Sequence, residues 1–304
     1  MNSTTRRKFL NQTALLSLAA LAGQSFVPGK YKPRLSFSTL GCPDWSFGQA
    51  MDFAAAHGYV GIEVRGIGPE MELTKCAEFL TAGARAETVR KMKDKGLSFS
   101  DLGSSCNLHE SEPGLRQRNL DEGRRYIDLA AQIGCPHVRV FPNSIPKDKD
   151  RNETLGLISG GLLDLADHAR GGPVTVLMET HGDLSHVSDV EGVMAQVDHP
   201  HAGLVWDIVN MWIDTGESPA DVYPRLKKHI RHTHIKDARK RGDKIDYVFL
   251  GQGEAPIFQA IDILAKDNYK GYFSFEWEKR WHPEIAAPEL AFADYSEKMK
   301  THFN

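Results

Sequence analysis

The sequence predicts an α/β protein built as one domain, a parallel (β/α)8 TIM barrel over residues 35–304. Three observations carry that reading. Short apolar or β-branched runs alternate with amphipathic stretches along the chain. A Gly or Pro opens or follows most of the amphipathic stretches, as helix-end chemistry requires. The later apolar runs end on polar, ligand-type side chains: VTVLME on Glu179, AGLVWD on Asp207, IRHTHI around His234 and GYFSFE on Glu276.

In order, the run 35–40 (LSFSTL) leads into a helix over 47–57, and Gly58 separates that helix from the run 60–65 (VGIEVR). A helix over 84–95 stops at Gly96 before the strand 97–102. The longest helix, 115–133, stops at Gly134 before the strand 137–141, and a helix over 155–169 ends at Gly171-Gly172-Pro173 before the strand 174–179. Helix 187–197, strand 203–207, a Pro-initiated helix 219–228 and strand 230–235 follow. Helix 256–265, strand 272–276 and helix 288–302 complete the alternation, both helices opening on Pro. A doubly wound sheet would carry a Gly-rich turn after its first strand, but Leu40-Gly41-Cys42-Pro43-Asp44-Trp45 contains no GxGxxG. A faint internal echo, HGYVGIE ending at Glu63 and NYKGYFSFE ending at Glu276, is what a repeated βα unit leaves.

Residues 1–22 read as a signal peptide rather than as fold. Arg6-Arg7-Lys8 precedes an apolar run, and Ala20-Leu21-Ala22 provides a small-residue cleavage site. The paired arginines resemble a Tat signal, which implies export of a folded protein and a periplasmic location, or a cytoplasmic one if the signal does not act. No Cys follows the apolar run, and no run is long enough for a membrane span, so no stable membrane anchor is expected. The net charge of −3 loses three positive charges with the signal and falls to about −6, which speaks against a nucleic-acid partner. Cys42, Cys76, Cys106 and Cys135 form no CxxC pair and read as small buried hydrophobes. No interface signal is present, which leaves the oligomeric state open.

In a parallel barrel the strand C-termini converge on one pocket. Glu179, Asp207, His234 and Glu276, spaced about one βα unit apart, then form a divalent-metal site. Strand alternation points His232 and His234 the same way; His234 is nearer the strand end and is the expected ligand. Glu278, two residues past Glu276, also faces inward on this reading. Oxygen and nitrogen donors without thiolate suit one Mn, Mg, Co or Zn ion. Further pocket candidates are Glu63 and Arg65 at the second strand end, Arg139 in the fourth strand, and His109 in the loop after the third. Lys236 and Asp237 follow the metal histidine, His181 and Asn210 follow two of the metal acids, and Trp45, Trp277 and Trp281 offer ring faces to a sugar.

The segments GYVGIEVR, VRVFP, VLMETHGD, VWDIVN, HTHIKDAR, LGQGE and GYFSFEWE together resemble the xylose isomerase-like TIM-barrel superfamily of sugar isomerases, epimerases and endonuclease IV. FEWEKRWHPE is similar to its sugar isomerase/epimerase branch. The resemblance implies that Glu179, Asp207, His234 and Glu276 hold one metal, and that Glu179 and Glu276 are the catalytic acid/base pair on opposite substrate faces. It implies proton abstraction next to a carbonyl through a metal-stabilised enediolate of a small carbohydrate. Two positions depart from the ketose 3-epimerase pattern: Asn210 stands for a His and Ser185 for a Glu. The expectation is therefore a metal-dependent sugar isomerase or epimerase. The alternatives are a lyase or hydratase acting on 3-keto-glycosides, a non-catalytic sugar-binding barrel, and an endonuclease IV-like nuclease. The nuclease needs many more histidine ligands and a basic face.

Overall fold

The computed structural model describes residues 31–242 and 244–304; the signal segment expected at 1–22 lies outside them. The first half runs β1 (Arg34–Ser38), α1 (Phe47–His57), β2 (Gly61–Val64), α2 (Ala82–Asp94), β3 (Ser98–Asn107), α3 (Pro113–Ile133), β4 (His137–Phe141) and α4 (Arg151–His168). The second half runs β5 (Thr175–Glu179), α5 (Val187–Gln196), β6 (Ala202–Asp207), α6 (Ile208–Thr215), α7 (Pro219–Leu226) and β7 (Ile230–Ile235). It continues with β8 (Asp237–Arg241), β9 (Lys244–Val248), α8 (Ile257–Lys266), β10 (Tyr272–Phe275) and α9 (Pro288–Phe303).

Eight of these strands close into a barrel in the order β1-β10-β7-β6-β5-β4-β3-β2. Every barrel pair is parallel, from β1 against β10 round to β1 against β2. The predicted fold is therefore the observed one. Local chemistry sets the helix boundaries. Ser46 and Gln49 form a reciprocal capping box at the start of α1, and Pro113 occupies the first turn of α3. Gly134 ends α3 in the left-handed conformation at φ 73°, which costs a glycine no side-chain clash.

The apolar core lies between strands and helices. Where α9 returns to the first strand, Phe37 stacks on Phe292 with ring centroids 4.2 Å apart, and Phe275 stacks on Tyr295 at 4.5 Å. The barrel interior is instead polar and narrow. Ser36, Ser100, Ser274, Glu63, Asp101, His232 and His234 are all buried there. Ser36 pairs in register with Ser274, and Ser274 with His234, so small hydroxyls leave the room that the larger polar side chains occupy.

Three features differ from the sequence reading. β3 is ten residues long, because its pairing to β4 shifts register and resumes at Asn107 opposite Phe141. α6 begins directly after Asp207. Residues 237–241 and 244–248 pair as the antiparallel strands β8 and β9, where no strand was expected. The four cysteines are buried and free, as anticipated. Among the described residues no helix is long and apolar enough to cross a membrane.

Candidate metal centre and active-site pocket

Each expected ligand arrives by a different strand. Glu179 ends β5, Asp207 ends β6, His234 lies in β7, and Glu276 follows β10 directly. All four are buried, and one donor atom from each lies within 4.8 Å of all the others. His234 is the hub: its Nδ1 is 3.2 Å from Glu276 Oε2, 3.4 Å from Glu179 Oε1 and 3.7 Å from Asp207 Oδ2. Asp207 is oriented by two roles at once. Its Oδ1 caps α6 by accepting from the Asn210 amide at 2.9 Å, which leaves Oδ2 for the cluster.

Below this set, Glu63 Oε2 accepts from His234 Nε2 at 3.1 Å, from His232 Nε2 at 2.9 Å and from Ser274 Oγ at 3.0 Å. That contact places a proton on His234 Nε2 and aims Nδ1 at the three acids, the arrangement in which an imidazole binds a metal. Above it, Lys236 Nζ lies 2.7 Å from Asp207 Oδ2, 2.7 Å from Glu276 Oε2 and 2.8 Å from Glu278 Oε1. Arg139 Nε is 3.1 Å from Glu179 Oε2, and its guanidinium lies over the Phe141 ring at 3.8 Å.

The electrostatics follow from this crowding. Burial alone would lower the His234 pKa, but the carboxylates of Glu276, Glu63 and Glu179 outweigh it and hold the imidazole well above its ordinary value. The reverse holds for the acids: burial opposes ionisation, yet His234 keeps Glu63, Glu179 and Glu276 below the usual carboxylate range, with Lys236 contributing at Glu276. Two acids remain high. Burial, together with Glu63, pushes Asp101 to about 8, and burial pushes Glu278 to about 7 despite Lys236.

These residues fit a divalent ion. His234 Nδ1, Glu179 Oε2 and Asp207 Oδ2 are buried without a directed hydrogen bond; the short approaches to them are ion pairs by distance. One imidazole and three carboxylates supply hard donors, and Glu63 supplies the outer carboxylate that metal-binding histidines usually have.

A cavity of about 350 Å³ opens over the cluster, at the small end of ligand sites, which span roughly 300–1,000 Å³. Of the residues expected there, Arg65, Arg139, His181, Asn210 and Lys236 line it, together with Glu179 and Glu276. Four others do not. Glu63 lies one layer deeper, against the histidines, because β2 meets β1 with Glu63 opposite Ser38. Trp277 is 1% exposed, stacks on Phe275 and donates Nε1–H to the Ala286 carbonyl. Asp237 Oδ2 accepts from the Gly251 and Gly253 amides and so secures the loop after the hairpin. His109 sits 3.7 Å from Glu110 in the loop after β3.

The cavity also contains side chains that the strand-end pattern does not reveal: Tyr247 from the hairpin, Phe141 and His282. The alternation of Ile245, Asp246, Tyr247 and Val248 is the one local sign that Tyr247 turns inward. Ser185, at one of the two departures from the epimerase pattern, is buried away from the cavity and donates to the Gly182 carbonyl and Asp214. A larger groove of about 530 Å³ between α1 and α2 has no convergent ligand set.

Comparison with known proteins places this geometry. Among curated proteins, lysophospholipase nte1 of Aspergillus fumigatus is 31% identical over 135 residues, covering 41% of this chain and 9% of that protein. Inosose dehydratase of Clostridium botulinum is 25% identical over 153 residues, covering 45% of this chain and 50% of that protein. The chain thus spans half or less of the length of these curated relatives. Three solved structures share the fold. The probable 3-DHS dehydratase AsbF of Bacillus anthracis superposes with a TM-score of 0.71 at 18% identity, covering 88% of this chain and 98% of that one. The 3-keto-D-glucoside 4-epimerase YcjR of E. coli gives 0.71 at 17%, covering 89% and 100%. The IOLI protein, solved with a zinc atom, gives 0.72 at 16%, covering 89% and 97%. The family described as xylose isomerase-like TIM barrel matches residues 51–299, most of the closed barrel that carries the cluster, and the chain belongs to that family.

Proposed function

We propose that this protein is a divalent-metal-dependent enzyme that moves a proton at a carbon next to a carbonyl in a small carbohydrate, as a sugar isomerase or epimerase. One observation supports this above the others: Glu179 and Glu276 reach the same histidine nitrogen from strands on different sides of the barrel, and both line the cavity. A divalent ion held by Glu179, Asp207, His234 and Glu276 would supply Lewis-acid stabilisation of negative charge on adjacent substrate oxygens. Around it, the carboxylates of Glu179 and Glu276 are the groups to take a proton from one face and return one to the other. His234 and then Arg139 keep Glu179 ionised, and Arg139 Nε meets its Oε2 at 3.1 Å. Asn210, Arg65 and His181 are placed to hold hydroxyls. Relatives that include a 3-keto-D-glucoside 4-epimerase and dehydratases agree with this chemistry.

A second reading, elimination of a β-substituent from a 3-keto-glycoside, draws on the Lys236–Glu278 pair. Its nitrogen and oxygen meet at 2.8 Å, and both residues line the cavity, where a leaving group would need a proton. The experiment is exchange of the substrate α-proton in D2O, followed by NMR after loading with Mn²⁺, Co²⁺, Mg²⁺ or Zn²⁺. Ketoses and 3-keto-glycosides form the panel. Exchange with stereochemical inversion or carbonyl migration supports the isomerase reading, and aglycone release supports elimination. No exchange with any metal removes both. The signal at 1–22 supports export to the periplasm, which fractionation of cells making the full chain and a variant with both Arg6 and Arg7 replaced by Lys would test.

A further inference from the structure

We infer that the mouth of the cavity contains a ring-binding subsite built on Trp281, so that the substrate is a glycoside carrying a second ring, aryl or sugar, beyond the sugar held at the metal cluster. Trp281 is 58% exposed, yet it lines the same cavity as the buried ligands. The other strongly exposed large hydrophobics, Val60, Leu80, Leu115 and Leu290, do not line it. An indole left in water at the rim of a polar cavity is an unused apolar face, and indole faces stack on pyranose C–H surfaces and on aromatic rings.

The turn that carries it is fixed by its backbone. The Trp281 and His282 amides both donate to the Glu278 carbonyl, at 3.0 and 2.9 Å, which sets the Trp281 backbone one turn from a carboxylate that lines the cavity. Lys279 Nζ donates to the Pro283 and Ile285 carbonyls, at 2.6 and 2.5 Å, and Arg280 donates to the Gly68 carbonyl of the loop after β2. This clamps the turn on both sides. Next to it the His282 ring meets Tyr247 of the hairpin, with centroids 5.0 Å apart. The cavity therefore grades from charged groups at its floor to three rings at its rim. A free monosaccharide held at the floor has no use for that rim. A substituent on its anomeric oxygen, directed outward, does.

This subsite rests on the carbohydrate reading above for its inner half, and its test separates the two. Phenyl, methyl and 4-O-linked disaccharide β-D-glucosides, which carry no ketone, are titrated by calorimetry into the Mn²⁺-loaded protein, its W281A variant and W281L. Phenyl glucoside should bind about three- to tenfold tighter than methyl glucoside, the range a ring-stacking contact supplies. The preference should vanish in W281A and stay lost in W281L, which restores apolar area without a ring face. The disaccharide arm shows whether the ring is a sugar or an aryl group. Equal affinities in the unsubstituted protein, no binding by any glucoside, or a preference that survives W281A would overturn the subsite. A preference lost in W281A, in a protein that exchanges no α-proton, would keep the subsite and refute the reaction instead.

Discussion

Replacing Glu63 by glutamine separates positioning of the metal ligand from catalysis. Glu63 is fully buried, and its Oε2 accepts three hydrogen bonds, two of them from the histidines at 2.9 and 3.1 Å. Glutamine keeps the shape and one carbonyl oxygen but removes the charge. A hydrogen bond to a charged group is worth about 1.5–3 kcal/mol against roughly 1 for a neutral pair, so His234 loses about 1–2 kcal/mol of support for its Nε2–H tautomer. In metal affinity that is about five- to thirtyfold, overlapping the low end of the roughly 10–100-fold range for losing an outer-shell partner. Competition of Mn²⁺ or Zn²⁺ between E63Q and a fluorescent chelator reads the loss, and circular dichroism checks the fold. At saturating metal kcat should stay within a few-fold, because Glu63 does not reach the cavity. The reasoning fails if a folded E63Q binds metal as tightly as the parent, or if kcat collapses at saturation while affinity is unchanged.

Other outcomes follow from the same cluster. In the metal-free protein the raised His234 pKa contributes stability that is complete below pH 6.5 and lost as pH rises through the folded value, whereas the lowered Glu63, Glu179 and Glu276 contribute stability present above pH 4.5 and lost on acidification. Thermal melts in EDTA should therefore decline as pH rises well past 6.5 and those with metal should not; a flat EDTA series contradicts this. K236M leaves Asp207, Glu276 and Glu278 without their common cation and should cost about 3–5 kcal/mol in urea denaturation of the metal-free protein, less with metal bound, so an equal loss in both states counts against the account. F292A, which removes a buried ring stacked on Phe37, should cost about 3–5 kcal/mol whether or not metal is present, and a metal-dependent loss would show that the last helix and the site are coupled.

Much of the barrel and its candidate ligand cluster was legible because a parallel strand is buried on both faces. VTVLM and AGLVW are continuous apolar runs, and a carboxylate closing each one marks the end where loops converge. Depth inside the barrel was not legible. Its place at the end of the second strand marked Glu63 as a pocket candidate, but whether it meets substrate or a histidine depends on strand stagger, a property of the closed sheet that no single strand encodes. The antiparallel pair 237–241 with 244–248 was hidden for another reason: DARKR and KIDYV are too charged to read as buried strands, and their outer residues stay exposed. Trp277 and Trp281 look equivalent in FEWEKRW. The turn at Glu278 separates them, sending the first against Phe275 and the second to the cavity rim.

Charge balance ties the site to the stability of the fold. Glu63, Asp101, Glu179, Asp207, Glu276 and Glu278 are buried near one another, against the three cations Arg65, Arg139 and Lys236. Left to itself the chain narrows that excess with protons: one on His234, and partial protonation of Asp101 at about 8 and Glu278 at about 7. A proton on His234 cannot coexist with a metal on the same nitrogen. Binding a dication must therefore displace that proton and replace one positive charge by two, which narrows the excess further. Metal uptake should for that reason release protons, strengthen with rising pH, and stabilise the barrel more on the alkaline side, where the metal-free protein has lost the His234 contribution.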